Sequence, residues 1–114
     1  MDRVDENTPE KLFDRQWAVA LLDQVIAKLQ AESVAGDRQL QFDVLKPLLA
    51  GARDADTDYN TAATQLGISL GAAKMAATRL RRRYREVLRD EIAQTVLLPE
   101  EVDDELRYLF EALG

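Results

Sequence analysis

Apolar residues recur three and four positions apart along most of this chain, a spacing that lays them on one face of a helix. Leu12, Phe13, Trp17, Leu21, Leu22, Val25, Ile26 and Leu29 make the first such face. Thr8 is placed to cap its free amides, Pro9 suits the first helical position, and Glu10 sits at the positive end of the dipole. The pattern runs to about Ser33, and Gly36-Asp37 ends it. Leu40, Phe42, Val44, Leu45, Leu48 and Leu49 predict a second, shorter helix, which Pro47 must kink or divide because it lacks a backbone donor. Residues 51–58, GARDADTD, are turn formers with no apolar side chain larger than Ala, so a loop is expected there, with Asp58 capping the next helix. Residues 59–66 predict two helical turns. After Gly71 neither Pro nor Gly interrupts the pattern from Leu70 as far as Val96, a helix of roughly 40 Å at about 1.5 Å per residue. Pro99-Glu100-Glu101 opens a last helix with Val102, Leu106, Leu109, Phe110 and Leu113 on one face.

The junction before the long helix is the most informative stretch. Gly67 suits the residue just past a helix end, where φ turns positive, and Ser69 suits the cap of the next helix. Ala63 is small where two helices cross closely, Ala73 falls on the buried side of the second helix, and Leu66 and Ile68 are expected to close a small core. With Ala73 at zero and about 100° per residue, Ala77, Leu80, Tyr84, Val87 and Leu88 lie within about 80° of it. Between about 80° and 200° lie Gly71, Lys74, Met75, Thr78, Arg81, Arg82, Arg85 and Arg89, a basic face. The fold expected is all-α, a helical bundle of about five helices containing a helix-turn-helix. One domain is expected over 1–114, with N-terminal helices at 8–50, the helix-turn-helix at 58–84, and a helix extension with a C-terminal amphipathic helix at 85–114.

Composition narrows the chemistry. With 46% hydrophobic and 32% charged residues the chain has the balance of a folded protein. It has no Cys and no His, which removes disulfides, Cys/His zinc sites and the commonest general base. No nucleophile with a base, no phosphate loop and no metal cluster can be assembled, so neither an enzyme nor a cofactor is expected. Asp103, Asp104 and Glu105 are contiguous on a helix and point in different directions, which favours a solvated face over a metal site. No run approaches the ~18 apolar residues that cross a bilayer, and a cytoplasmic protein without membrane contact is expected.

Net charge is -6, but it is segregated. Residues 59–89 carry 7 basic and 1 acidic side chains, whereas residues 90–114 carry 1 and 8. A basic middle between acidic flanks fits a helix that enters a DNA major groove with its N-terminal residues at base edges. Ser69 starts that helix. Leu70, Gly71, Lys74, Met75 and Thr78 are the candidates for reading bases, with Met75 and Thr78 suited to thymine methyls and Lys74 to a guanine edge or a phosphate. Arg79, Arg81 and Arg82 are the candidates for gripping the backbone. A run of arginines alone is often just a solvated surface; the short helix, glycine turn, serine cap and basic second helix together favour the DNA reading. Trp17, Phe13 and Phe42 sit on apolar faces and are expected in the core.

From these residues the chain resembles region 4 of a sigma-70-family RNA polymerase sigma factor, of the extracytoplasmic-function group and especially its planctomycete-like members. Tyr59, Ala62, Ala63, Leu66, Gly67, Ile68, Ser69, Gly71, Lys74, Arg79 and Arg81 stand where that family shows Y-x-x-I-A-x-x-L-G-x-S-x-G-x-V-K-x-x-x-x-R-x-R. The FDVLKPLLAG, EIAQTV and ELRYLFEAL segments are similar to those proteins too. The resemblance implies recognition of a promoter -35 element in double-stranded DNA, docking on the flap of the core RNA polymerase β subunit, and control by an anti-sigma-type regulator. The chain departs from the pattern at Leu70, where a polar residue is usual, and at Ala62, Ala73 and Ala77, where bulkier apolar residues are usual. Ala76 and Thr78 stand where Arg and His are frequent. The -10-binding helical domain of that family has no counterpart here, which fits either the C-terminal part of a longer protein or a standalone protein unable to open promoters alone. The alternative function is a protein-interaction module that binds polymerase or a regulator without productive DNA binding. A narrower expectation is that the acidic stretch from Asp90 onward folds against the arginine face and competes with DNA.

Overall fold

The ends of the helices follow from local chemistry. The computed structural model describes residues 9–49 and 55–113, and every regular element in them is helical. In order these are α1 (Pro9–Ala35), α2 (Gln39–Leu45) with a 3-10 turn at Lys46–Leu48, α3 (Ala55–Leu66), α4 (Leu70–Ala93), a 3-10 turn at Pro99–Glu101, and α5 (Val102–Leu113). The all-α class and the five helices expected from the sequence are both present.

At the end of α1 it is Asp37, not Gly36, that takes the left-handed conformation, with φ of 59°. Its short polar side chain tolerates that region better than most. The Arg38 amide donates to the Ser33 carbonyl at 2.7 Å and the Asp37 amide to the Val34 carbonyl at 3.1 Å, so the last carbonyls of the helix are satisfied. Pro47 does divide the second helical stretch: α2 stops at Leu45 and the chain tightens into the 3-10 turn that contains the proline. α3 begins at Ala55, earlier than expected, which puts Asp58 inside its first turn and not at its cap. There Asp56 and Asp58 oppose the positive end of the helix dipole. The Thr8 cap and residues 51–54 of the expected loop lie outside the described residues. At the far end α4 stops at Ala93, short of Val96, where the Thr95 amide and hydroxyl both donate to the Ile92 carbonyl, at 2.9 and 2.8 Å.

The chain packs as two units. In Ala27–Val87 the buried cluster is Leu45, Leu48, Tyr59, Ala62, Ala76 and Ala77, with Val44, Leu66, Leu70 and Leu80 packed against it. Most of its α3 and α4 members are alanines, so the larger side chains come from α2 and the turn after it. In Met1–Ile26 with Leu88–Gly114, the buried residues include Ala18, Leu21, Val25, Leu88, Ile92, Val102 and Leu109.

Two of the aromatics expected in the core are elsewhere. Phe42 is buried, but Trp17 is half-buried and Phe13 is on the surface. At about 100° per residue, Ala18, Leu21, Val25 and Leu29 span only about 80° of α1, and Phe13 falls about 120° from Val25. Phe110 fails for the same reason, being about 100° from the buried Leu109. No described helix is long and apolar enough to cross a membrane.

Candidate nucleic-acid interface

The candidate surface is set by how α3 ends and α4 begins. Gly67 has φ of 68°, and behind it the Ile68 amide donates to the Ala63 carbonyl at 3.0 Å and the Gly67 amide to the Thr64 carbonyl at 3.2 Å. The chain then turns through Ile68, whose side chain is exposed and does not close the core as expected. The Ser69 hydroxyl oxygen accepts the Ala72 amide at 3.1 Å, and the Ser69 carbonyl accepts the Ala73 amide at 3.0 Å, so Ser69 caps α4. Nothing lies within 4 Å of a Cβ built on Gly67, so a side chain there meets backbone strain and no clash. Gly67→Val is therefore expected to destabilise by about 1–3 kcal/mol, and Gly67→Asn by less, in thermal unfolding followed by circular dichroism.

Along α4 the two faces separate much as the angular reading predicts. Ala73, Ala77, Val87 and Leu88 are buried, Leu80 and Tyr84 half-buried. Ala76, about 60° from Ala73, is buried as well, which widens the stripe beyond the residues expected in it. Gly71, Lys74, Met75, Thr78, Arg79, Arg82 and Arg85 are exposed. Among the described residues no ion pair or hydrogen bond holds the side chains of Lys74, Arg79, Arg82 or Arg85. The Thr78 hydroxyl donates to the Lys74 carbonyl at 2.9 Å, so its hydrogen is already engaged within the helix. Arg89, in the other unit, is paired with Asp103 at 2.8 Å.

Three residues assigned to this surface do other work in the fold. Leu70 is half-buried and packs against the Leu45 cluster, which takes its side chain off the reading face. Ser69 uses its hydroxyl oxygen as the cap. Arg81, at the angular edge of the basic face, turns inward: its Nε donates to the Leu48 carbonyl at 3.4 Å, one terminal nitrogen donates to the Tyr59 hydroxyl, and the guanidinium lies 5.8 Å from the Tyr59 ring centroid. It ties α4 to α3 and to the 3-10 turn at Lys46–Leu48, and is not presented alongside Arg79 and Arg82.

Arg83, which the sequence did not single out, is also committed within the chain. It makes two hydrogen bonds to Glu32, at 2.9 and 2.7 Å, and one to Glu86 at 3.1 Å. The Arg83 hydrogen bond holds the Glu32 carboxyl below its ordinary 4.5, against a smaller opposing effect of burial. This pair stands beside a cleft of about 210 Å³ between the end of α1, α2 and α4. Its apolar wall includes Leu29, Phe42 and Leu80, and Arg38 and Arg79 also line it. Among the described residues no three acidic side chains converge where an ion could sit.

Compared with protein-family models, with curated proteins and with solved structures, the chain matches none.

Proposed function

We propose that this chain is a sequence-specific DNA-binding domain of transcription initiation, acting as sigma-factor region 4 does. In this reading α3 and α4 form a helix-turn-helix, α4 reads a promoter -35 element from the major groove, and the domain docks on core RNA polymerase in the cytoplasm. The observation that carries it is the row of Lys74, Arg82 and Arg85, exposed and unclaimed by any described side chain, on the flank of α4 opposite the buried Ala73. Such a row displaces counterions from phosphates and sets the register of the helix. Gly71 adds support: a Cβ there meets nothing within 4 Å, so the fold itself does not require the glycine. A glycine in a first helical turn costs helix stability, roughly 0.5–1 kcal/mol relative to Ala, and suits close approach of a ligand to the backbone. Met75, 61% exposed, and Thr78 then meet base edges while Arg79 and Arg82 hold phosphates.

The test is binding to a randomised duplex library at several salt concentrations, with sequencing of the retained duplexes. Affinity is expected to fall steeply and linearly in log salt and one sequence motif to be enriched. A flat salt response, or no retention at low salt, rejects the proposal.

The alternative, a protein-interaction module, is favoured by the Arg38-Arg79 cleft, which offers an apolar wall with cations beside it. Recovery of polymerase subunits or an anti-sigma-type regulator by a protein inert toward DNA decides for that reading.

A further inference from the structure

A different surface, in the unit formed by Met1–Ile26 with Leu88–Gly114, presents aromatic rings where the fold does not need them. Phe13 is 70% exposed and Tyr108 45% exposed. Trp17 completes the group, its ring centroid 5.8 Å from that of Tyr108 and tilted by 56°. Phe13 and Tyr108 line a shallow recess together with Pro9, Glu10 and Asp14. Two such rings left in water lose the burial that aromatic side chains normally gain, which marks the patch as a surface that something else covers.

The carboxylates narrow what that is. Hydrogen bonding toward Asp14 is the largest of the effects that raise the Tyr108 pKa, followed by burial and by the charges of Asp14, Glu105 and Glu10. Two carboxylates, those of Glu10 and Asp14, therefore line the recess beside the two rings. Rings of this kind attract a cation through their quadrupole, and the carboxylates attract it through charge. Of the cationic side chains, the flat and weakly hydrated guanidinium stacks on rings while donating to carboxylates in their plane.

We propose that the recess lined by Phe13, Tyr108, Glu10 and Asp14 is a docking site for an arginine-bearing segment of a basic protein partner, whose guanidinium sits on the rings and bonds the two carboxylates. The site is independent of the DNA reading of α4, so failure of either leaves the other standing.

Trp17 is the single tryptophan of the chain and its ring packs on that of Tyr108, which lines the recess, so its fluorescence reports occupancy through that contact. The probe is an acetylated tetra-arginine amide titrated at low salt, with tetra-alanine and tetra-glutamate amides as controls. A saturable change in Trp17 emission with a dissociation constant below about 1 mM is expected for tetra-arginine alone. Phe13→Ala and Asp14→Asn are each expected to weaken it about three- to fivefold. Phe13 is exposed, so its replacement leaves the unfolding transition seen by circular dichroism in place. Asp23→Asn, about 15 Å further along α1, leaves binding unchanged. The proposal is overturned by an unsaturable response, by indifference to Phe13→Ala, or by an equal loss on Asp23→Asn, which marks only the attraction of an acidic protein. Equal binding of tetra-lysine overturns the assignment of a guanidinium.

Discussion

Replacing Leu45 by alanine is expected to lower stability by about 2–5 kcal/mol, a large part of the roughly 5–15 kcal/mol that holds a typical domain folded. Leu45 is 1% exposed and packs with Leu48, Tyr59, Ala62, Ala76 and Ala77. Its buried neighbours on α3 and α4 are Tyr59 and three alanines, and an alanine has no rotatable side-chain bond with which to swing into the vacated space. How far the half-buried Leu66, Leu70 and Leu80 close over the cavity sets where in that range the loss falls. α2 has 7 residues, too few for a helix to hold in water by its own hydrogen bonds, so Leu45 and the buried Phe42 are what keep it in place. Leu45→Met, which conserves volume, is expected to cost under about 1.5 kcal/mol. Urea unfolding followed by circular dichroism separates the two variants. A loss below about 1 kcal/mol for Leu45→Ala contradicts the role given to this cluster.

The helices were legible because their signals are local. Pro47 acts through its own missing donor, Gly67 through its own φ, and Ser69 through an amide three positions away. These interactions depend on nothing beyond a few neighbouring residues, so spacing along the chain is enough to find them. The start of α3 was misread because its first residues are turn formers taken singly, while Asp56 and Asp58 act together against the dipole once the helix exists. Phe13 and Phe110 were misread because an apolar residue at helical spacing marks a wide arc, and only packing decides how much of that arc is covered.

The candidate site was legible to the extent that angle around one helix decides it. Lys74, Met75, Thr78, Arg79 and Arg82 are exposed as the wheel requires. Arg81 and Arg83 were beyond reach of such reasoning. Arg81 stands at the boundary of the two faces, and what draws it inward is the Leu48 carbonyl and the Tyr59 hydroxyl, neither of them on α4. Arg83 meets Glu32 across a separation of 51 residues, which no spacing rule connects. One signal was available for Arg81: a tyrosine at position 59 with its hydroxyl near a buried edge needs a polar partner, and a guanidinium is the donor with the reach to supply one.

That division among the arginines makes the DNA proposal quantitative. A Lys74→Ala, Arg82→Ala double variant removes two exposed cations that no described residue holds, so the slope of log affinity against log salt should become shallower by about 1.8. Binding itself should weaken at least about tenfold and about equally for every sequence, since phosphate contacts act without regard to the base. Arg81→Lys is the opposite case. It keeps the charge but loses the fork that reaches the Leu48 carbonyl and the Tyr59 hydroxyl together, so α4 is seated less firmly while the number of phosphates neutralised is unchanged. Its expected signature is weaker binding and a lower unfolding midpoint with the salt slope intact. Fluorescence anisotropy of a labelled duplex between about 50 and 200 mM salt, the range over which counterion release is large, measures both slopes. If Arg81→Lys flattens the slope as much as the double variant does, Arg81 contacts phosphate and its inward bonds break on binding. If neither changes it, the exposed row on α4 is a solvated face and DNA is not its ligand.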